Sequence, residues 1–159
     1  MPRSQMLLRL LALVTLVAAC PAQERRVELP RVGTVGDEPP AARTCVVEIR
    51  RDGTIRVVGK TLACGELRKH LLAEARKFPG RVAMIGARRL TFSKLNLLIR
   101  ADRGLPSAAI YQVLRLGLEG DTVVSRIFYG VRHEKTGEPG AMAMFLPGDV
   151  SDGTFTIRK

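Results

Sequence analysis

Aromatic residues are scarce in this chain of 159 residues. It contains no tryptophan, and the aromatic residues make up 4% of it. A surface that binds nucleic acid by stacking needs aromatic rings among its basic residues, and here the basic residues are dispersed without such rings. The composition therefore predicts no nucleic-acid partner.

Sequence motifs of catalysis are absent as well. The chain has no Gly-rich phosphate loop, no G-x-S-x-G elbow and no Ser, His and Asp set. Its two histidines, His70 and His133, lack the spacing to the cysteines that a zinc site requires. We expect no enzyme activity, no metal and no cofactor.

Long apolar runs are also missing. The run that ends at Cys20 follows Arg3 and Arg9, and it is shorter than the roughly 20 apolar residues that span a bilayer. Residues 1–20 are therefore predicted to be a secretory signal peptide. Its last four residues, VAAC, resemble a lipobox, in which Cys20 would receive a lipid. Ordinary cleavage near Ala22 and a retained N-terminal anchor are the alternatives, and all three predict that the rest of the chain is exported.

Positive charge is in excess. The chain has 26 Lys and Arg residues against 15 Asp and Glu residues, which gives a net charge of +11. An exported basic protein is expected to meet anionic lipid headgroups or acidic envelope polymers. The alternative is a soluble basic surface without a particular ligand.

The two ends of the exported chain differ in composition from its middle. Residues 21–43 are rich in proline and charge and contain few large apolar side chains. They are predicted to be a flexible linker that tolerates deletions. Residues 134–159 are predicted to be a C-terminal extension with one or two late strands, which Pro147 and Gly148 interrupt.

Residues 44–133 have the pattern of one folded domain. It begins with a hairpin, because alternating apolar residues flank Asp52-Gly53, a pair typical of tight turns. A helix follows over residues 65–77. The apolar positions of these two elements are Val47, Ile49, Ile55 and Val57 in the hairpin and Leu67, Leu71 and Ala75 in the helix.

An insertion follows the first helix at residues 81–94. Residues 82–86 fit an extra edge strand, but the basic residues beside them favour a surface loop. Arg88, Arg89 and Lys94 are candidates for partner contact, and a charged loop that is only solvated is the alternative.

The stretch from Leu97 to Arg132 has the order of a crossover unit. A buried strand, a loop, an amphipathic helix, a loop and a second buried strand follow one another, as in two parallel strands joined by a helix. We therefore predict an α/β (α+β) two-layer sandwich with a mixed sheet, two helices on one face and the order ββαβαβ. The apolar stripe of the second helix is Ile110, Val113, Leu114 and Gly117.

Asp102, Gly104 and Pro106 lie in the turn between that strand and that helix. An aspartate carboxylate can accept backbone hydrogen bonds in a turn, glycine relieves strain, and proline suits the first turn of a helix. These residues are therefore predicted to be structural. A catalytic Asp102 is the alternative, although no second carboxylate or histidine lies nearby in the sequence.

Cys45 and Cys64 are the two cysteines beyond the signal peptide. The hairpin would bring the start of its first strand near the end of its second, and exported proteins form disulfides. The two residues are therefore a candidate disulfide, which would stabilise the fold by roughly 3 kcal/mol. Two small buried thiols are the alternative.

The domain resembles the periplasmic domain of the ExbD/TolR family over residues 45–132. The resemblance lies in the segments VVEIRRDGTIRVVG, GELRKHLLAEA and LLIRADRGLPSAAIYQVLRLGLEGDTVVSRIFYGVR. It implies a homodimer that contacts an ExbB/TolQ-like motor subunit, a TonB-like partner or peptidoglycan.

The resemblance does not extend to the transmembrane helix. Family members carry a proton-handling aspartate in that helix, whereas residues 1–23 contain no Asp or Glu. We therefore expect a non-catalytic accessory of biopolymer transport or proton-motive-force energy transduction. It would be held on the membrane by a lipid at Cys20 and would face the periplasm. The alternative is a basic envelope-binding lipoprotein, for peptidoglycan or an acidic cell-wall polymer, without a motor role.

Overall fold

The computed structural model describes residues 27–144, 148–151 and 154–157. These residues form ten β-strands and two α-helices. The helices are α1 (Cys64–Lys77) and α2 (Ser107–Leu118). The strands are β1 (Arg31–Val32), β2 (Thr44–Ile49), β3 (Ile55–Val57), β4 (Lys60–Thr61), β5 (Val82–Ile85), β6 (Arg88–Ala101), β7 (Thr122–His133), β8 (Pro139–Met144), β9 (Gly148–Ser151) and β10 (Thr154–Ile157).

Strands β1 to β8 form one mixed sheet. Six of them lie in the order β1-β7-β6-β2-β3-β4, while β5 pairs with β6 and β8 with β7. Strands β2, β6 and β7 run parallel to one another, so α2 connects two neighbouring parallel strands. The α/β class, the mixed multi-stranded sheet and the two helices are therefore confirmed.

The chain order contains more strands than the predicted ββαβαβ. Strand β1 precedes the hairpin, β4 follows it, and β5 opens the insertion. The late strands are β8, which pairs with β7, and β9 and β10, which pair with each other. Strands of two to four residues carry too short an apolar pattern to be recognised from sequence.

Both helices bury the faces that their periodicity predicts. The buried positions are Leu67, Leu71 and Ala75 on α1 and Val113, Leu114 and Gly117 on α2. Both helices contact β7 and each other. Their buried side chains share one apolar cluster with alternate residues of the central strands, such as Val47, Leu97 and Ile127.

Residues 81–94 are a β-hairpin and part of a long strand rather than the predicted surface loop. Strand β5 pairs antiparallel with the beginning of β6, with Val82 opposite Thr91. Gly86 has a φ of 59°, which suits the tight turn between the two strands. The edge strand that residues 82–86 fit was therefore the better alternative, and the loop prediction failed because it rested on Arg88 and Arg89, which are exposed residues at the start of β6.

Residues 27–43 are built into the fold, which corrects the predicted flexible linker. Strand β1 pairs parallel with the end of β7. Gly36 and Ala141 exchange two backbone hydrogen bonds of 3.1 and 2.9 Å. Backbone hydrogen bonds hold this segment without many large apolar side chains, so composition alone does not reveal it. The rest of the predicted linker, residues 21–26, lies outside the described residues.

Candidate functional site

Asp102 joins the turn before α2 to the N-terminal segment. Its Oδ1 accepts a hydrogen bond from the backbone N–H of Gly104 at 3.0 Å, and its Oδ2 accepts one from the backbone N–H of Glu28 at 3.2 Å. The backbone N–H of Arg103 donates in turn to the Glu28 carbonyl at 2.7 Å. Because backbone donors engage both carboxylate oxygens of this buried residue, the geometry agrees with a structural role for Asp102.

Gly104 and Pro106 complete this turn. A Cβ on Gly104 would lie 3.3 Å from both Arg51 Nε and Asp102 Oδ1. Pro106 directly precedes α2, and its carbonyl accepts a hydrogen bond from the N–H of Ala109 at 3.1 Å. The turn is therefore tight, and a side chain at position 104 would crowd the carboxylate that holds it.

The N-terminal strap, residues 31–43, runs from the end of β7 to the start of β2. Arg100 Nη2 lies 2.7 and 2.8 Å from the two carboxylate oxygens of Glu38. Thr44 Oγ1 donates to the carbonyl of Pro40 at 2.7 Å. The strap is therefore bonded to β6 and to the first residue of β2.

A groove of about 480 Å³ lies along the edge of β2. Residues of β2, the turn after β3, one side of α1 and Arg100 line it. The lining residues include Thr44, Val46, Glu48, Val58 and Glu74.

The groove is open because β3 is shorter than β2. Strand β3 pairs with β2 only at Val47, Glu48 and Ile49. The chain then turns away at Val58 and Gly59, whose φ angles are 49° and 77°. Two positive φ angles in a two-residue loop are typical of a type I′ hairpin turn, which here leads into β4. Within the described ranges, residues 44–46 have no strand partner on this side.

The groove has carboxylates in a chain that is otherwise basic. Glu48 and Glu74 line it, together with the thiol-bearing Cys45. Burial raises the pKa of the Cys45 thiol to about 11, and the nearby Glu74 carboxylate adds to the increase. Cys45 is therefore a protonated thiol at neutral pH, which gives it little nucleophilic reactivity.

Cys45 and Cys64 are free thiols in the structure, not the predicted disulfide. The prediction assumed that the chain stays beside β2 after the hairpin. Strand β4 instead lies beyond β3, about 10 Å from β2 at two strand spacings, and leads the chain away before α1 begins. The Sγ of Cys64 accepts a hydrogen bond from Gln112 Nε2 at 3.3 Å.

Arg88, Arg89 and Lys94 are exposed but do not form a cluster. Arg88 and Arg89 lie at the turn end of the β5–β6 hairpin. Lys94 lies further along β6, about 20 Å from Arg88 at roughly 3.3 Å per residue. The structure therefore does not bring the three basic residues together, and their contact with a partner stays a prediction.

A second pocket of about 430 Å³ lies between the strap and strands β6 to β8. Arg43 and Arg126 line it, and none of its lining residues is acidic. Neither guanidinium has an ion pair or a hydrogen bond within the part of the chain that the structure describes. Asn96, which is buried, and Phe128 also line this pocket. It therefore combines an apolar surface with positive charge.

Sequence reasoning did not find either pocket. The first could have been found from strand length, because Val58-Gly59 ends the second strand of the hairpin too early to pair with residues 44–46. The second had no local signal, since the strap and the strands that line it are far apart in the sequence. Cys20 lies outside the described residues.

No protein-family model, curated protein or solved structure matches this chain. Among the described residues, neither helix has the length and apolar character needed to cross a membrane.

Proposed function

We propose that this chain is a non-catalytic ExbD/TolR-like domain, exported and anchored by a lipid at Cys20. It serves as an accessory of envelope biopolymer transport or proton-motive-force energy transduction. The proposal rests on the three parallel strands β2, β6 and β7 and on helix α2, which connects β6 to β7 along the chain. The hairpin, the first helix and the crossover unit thus follow one another in the order that the resemblance implies.

The proposal assigns a binding role rather than proton transfer. A carboxylate within the bilayer couples protons to motion in such motors, and residues 1–23 contain none. The protein would therefore act through its exported domain, as a homodimer beside an ExbB/TolQ-like motor subunit.

The proposal includes a two-layer arrangement with both helices on one face of the sheet. Successive residues of a strand point to opposite faces. Val47 and Ile99 share the apolar cluster with the helices, whereas Arg100, the next residue of β6, binds Glu38 of the strap. This alternation supports helices on one face and the strap on the other.

A lipid at Cys20 would hold the domain close to the membrane. Residues 20 to 27 can span at most about 25 Å when fully extended. Glu28, just after this short tether, is bonded to the turn at Asp102, and the strap that follows from residue 31 pairs with β7. In this proposal, a short segment connects the anchor to the sheet, and no long flexible linker lies between them.

The test combines lipid labelling with co-purification. The full chain and a Cys20→Ala variant are expressed in a bacterial host with a radioactive fatty acid and an ExbB/TolQ-like subunit. We expect label, membrane fractionation and co-purification for the wild type only. An unlabelled wild type would overturn the lipid anchor, and a labelled wild type that does not co-purify would overturn the accessory role.

The second pocket favours one alternative function, a basic envelope-binding lipoprotein for peptidoglycan or an acidic cell-wall polymer. Two arginines that have no carboxylate partner among the described residues, beside apolar side chains, fit an anionic ligand. Isolated peptidoglycan should bind the wild type and bind an Arg43→Ala, Arg126→Ala double variant more weakly. The single variant Arg81→Ala, also at an exposed arginine but outside this pocket, is the control. Equal loss in both variants would indicate non-specific charge attraction.

A further inference from the structure

The backbone of β2 is unevenly paired along its length. On the side of β6, all of its residues from Thr44 to Ile49 have a parallel partner. On the side of β3, pairing stops at Val47. Residues 44–46 therefore form a short open edge in the middle of the sheet, at the floor of the groove of about 480 Å³.

Hydrogen bonds at the far end of β2 show which backbone groups point into the groove. The carbonyl of Ile49 accepts from the N–H of Asp102, which follows β6, at 2.9 Å. The N–H of Arg50 donates to the carbonyl of Thr54, on the side of β3, at 2.9 Å. Since these directions alternate along a strand, the N–H and C=O groups of Val46 and the C=O group of Thr44 face the groove, while the N–H of Thr44 donates to the carbonyl of Ala41.

The side chains around this edge define what it could accept. Val58, at the end of the groove, is 88% exposed and offers an apolar surface. Glu48 and Glu74 supply negative charge. Glu74 is also ion-paired with Lys77 of α1, and Arg100 at the groove is ion-paired with Glu38.

We propose that the edge of β2 from Thr44 to Val46 binds an extended peptide segment of a partner protein as an added strand. The peptide pairs with the N–H and C=O groups of Val46 and with the C=O group of Thr44. It places an apolar side chain against Val58 and a Lys or Arg beside Glu48 and Glu74. Main-chain pairing of this kind supplies affinity, and the side-chain contacts supply specificity.

A peptide fits this edge better than a second copy of the chain. A three-residue edge is shorter than an ordinary strand, and a dimer built on it would bury little area. A two-fold pairing of β2 with itself would also bring like carboxylates of the two copies together.

The experiment uses the protein expressed from the full-length sequence, after any processing by the bacterial host. The protein is panned against a phage library of short random linear peptides, and enriched peptides are synthesised with a fluorophore for binding measurements. We expect alternating apolar residues and at least one Lys or Arg in them. Affinity should fall about tenfold in Val46→Pro, which removes an N–H that faces the groove, and less than about twofold in Val46→Thr, which keeps it.

Further measurements cover the case in which Val46→Pro does not fold. Peptide binding to the wild type should slow hydrogen exchange at the amide of Val46. Glu74→Gln should weaken binding of Lys-containing peptides severalfold and leave peptides without a basic residue unaffected.

The proposal is overturned if no peptide is enriched, if folded Val46→Pro binds as well as the wild type, or if exchange slows only elsewhere. Self-association of the wild type that Val46→Pro abolishes would also overturn it, in favour of a second copy as the occupant. None of these outcomes depends on lipid labelling, so they are distinguishable from a failure of the proposed accessory role.

Discussion

The backbone N–H of Glu28 donates a hydrogen bond to Oδ2 of Asp102 over 3.2 Å. This bond connects the beginning of the described chain to the turn between β6 and α2. The ion pair between Glu28 and Arg103, at 3.0 Å, lies beside it. Asp102 therefore stabilises two segments that are distant in sequence.

Replacing Asp102 should destabilise the fold. Asp102→Ala removes the acceptors of two backbone N–H groups, and we expect a loss of about 1.5–3 kcal/mol in the free energy of unfolding. Asp102→Asn keeps one carbonyl acceptor and should lose less. Urea unfolding followed by circular dichroism measures both. Asp37→Asn, at an exposed aspartate, should change stability by less than about 0.5 kcal/mol, and an equal effect at the two sites would contradict the structural role of Asp102.

Ser93 should contribute more to stability than its size suggests. It is buried, and its Oγ lies 2.8 Å from the carbonyl of Ala75 and 2.9 Å from the carbonyl of Phe78, at the end of α1. It also accepts from the N–H of Leu95 at 3.1 Å, within the bulge of β6. Ser93→Ala removes the acceptor of the Leu95 N–H and a hydroxyl donor from two carbonyls that keep the N–H groups of Phe78 and Lys94, and it should cost about 1–3 kcal/mol.

Thermal unfolding of Ser93→Ala and of Ser125→Ala compares a buried serine with an exposed one. Ser125→Ala should leave the melting temperature nearly unchanged. A Ser93→Ala variant as stable as the wild type would show that the helix end does not depend on this hydroxyl.

Val58→Asn should stabilise the protein. Val58 is a β-branched residue with a φ of 49°, a conformation that disfavours valine and that asparagine adopts more readily. Because its side chain is exposed, little packing is lost. We expect a gain of about 1 kcal/mol in urea unfolding. Val82→Asn is the control, since this exposed valine lies in a regular strand and should gain nothing.

Stability should fall at alkaline pH because of Cys45. Burial raises the pKa of its thiol from 9.0 to about 11, so above pH 9 the unfolded chain loses this proton before the folded chain does. The free energy of unfolding should therefore decrease by up to about 1.4 kcal/mol per pH unit between these two values.

Cys45→Ala isolates this effect from other groups. Burial also raises the pKa of the Tyr129 hydroxyl, which weakens stability in the same direction at still higher pH. The slope between pH 9 and 10 should be shallower in the variant than in the wild type. Identical slopes would mean that the Cys45 thiol is not protected from ionisation by the fold.

Several elements could be predicted because their signal is local. The apolar spacing of Leu67, Leu71 and Ala75 and the Asp52-Gly53 turn are each readable within one element. The crossover unit was also readable, since buried parallel strands are apolar throughout and the helix between them is amphipathic. The turn at Asp102 followed from the residue types that turns require.

Other features depend on contacts between distant segments. The strap has little apolar character, and its pairing with β7 and its bonds to Ala141 and Arg100 show that it belongs to the domain. The path of the chain from the hairpin to Cys64 passes through a two-residue strand, β4. Neither feature leaves a periodic pattern in the sequence.

Side-chain periodicity and turn chemistry act over a few residues, so they are enough to predict the two helices, the hairpin and the crossover between parallel strands. The early end of β3 at Val58-Gly59 is a local signal too, but the folded chain was needed to show which elements border the edge that it leaves. The edge at Thr44 to Val46 exists because β3 ends earlier than β2, and α1 then places Glu74 beside it. Such a site is a relation between strand lengths and the path of the chain, which no single segment encodes.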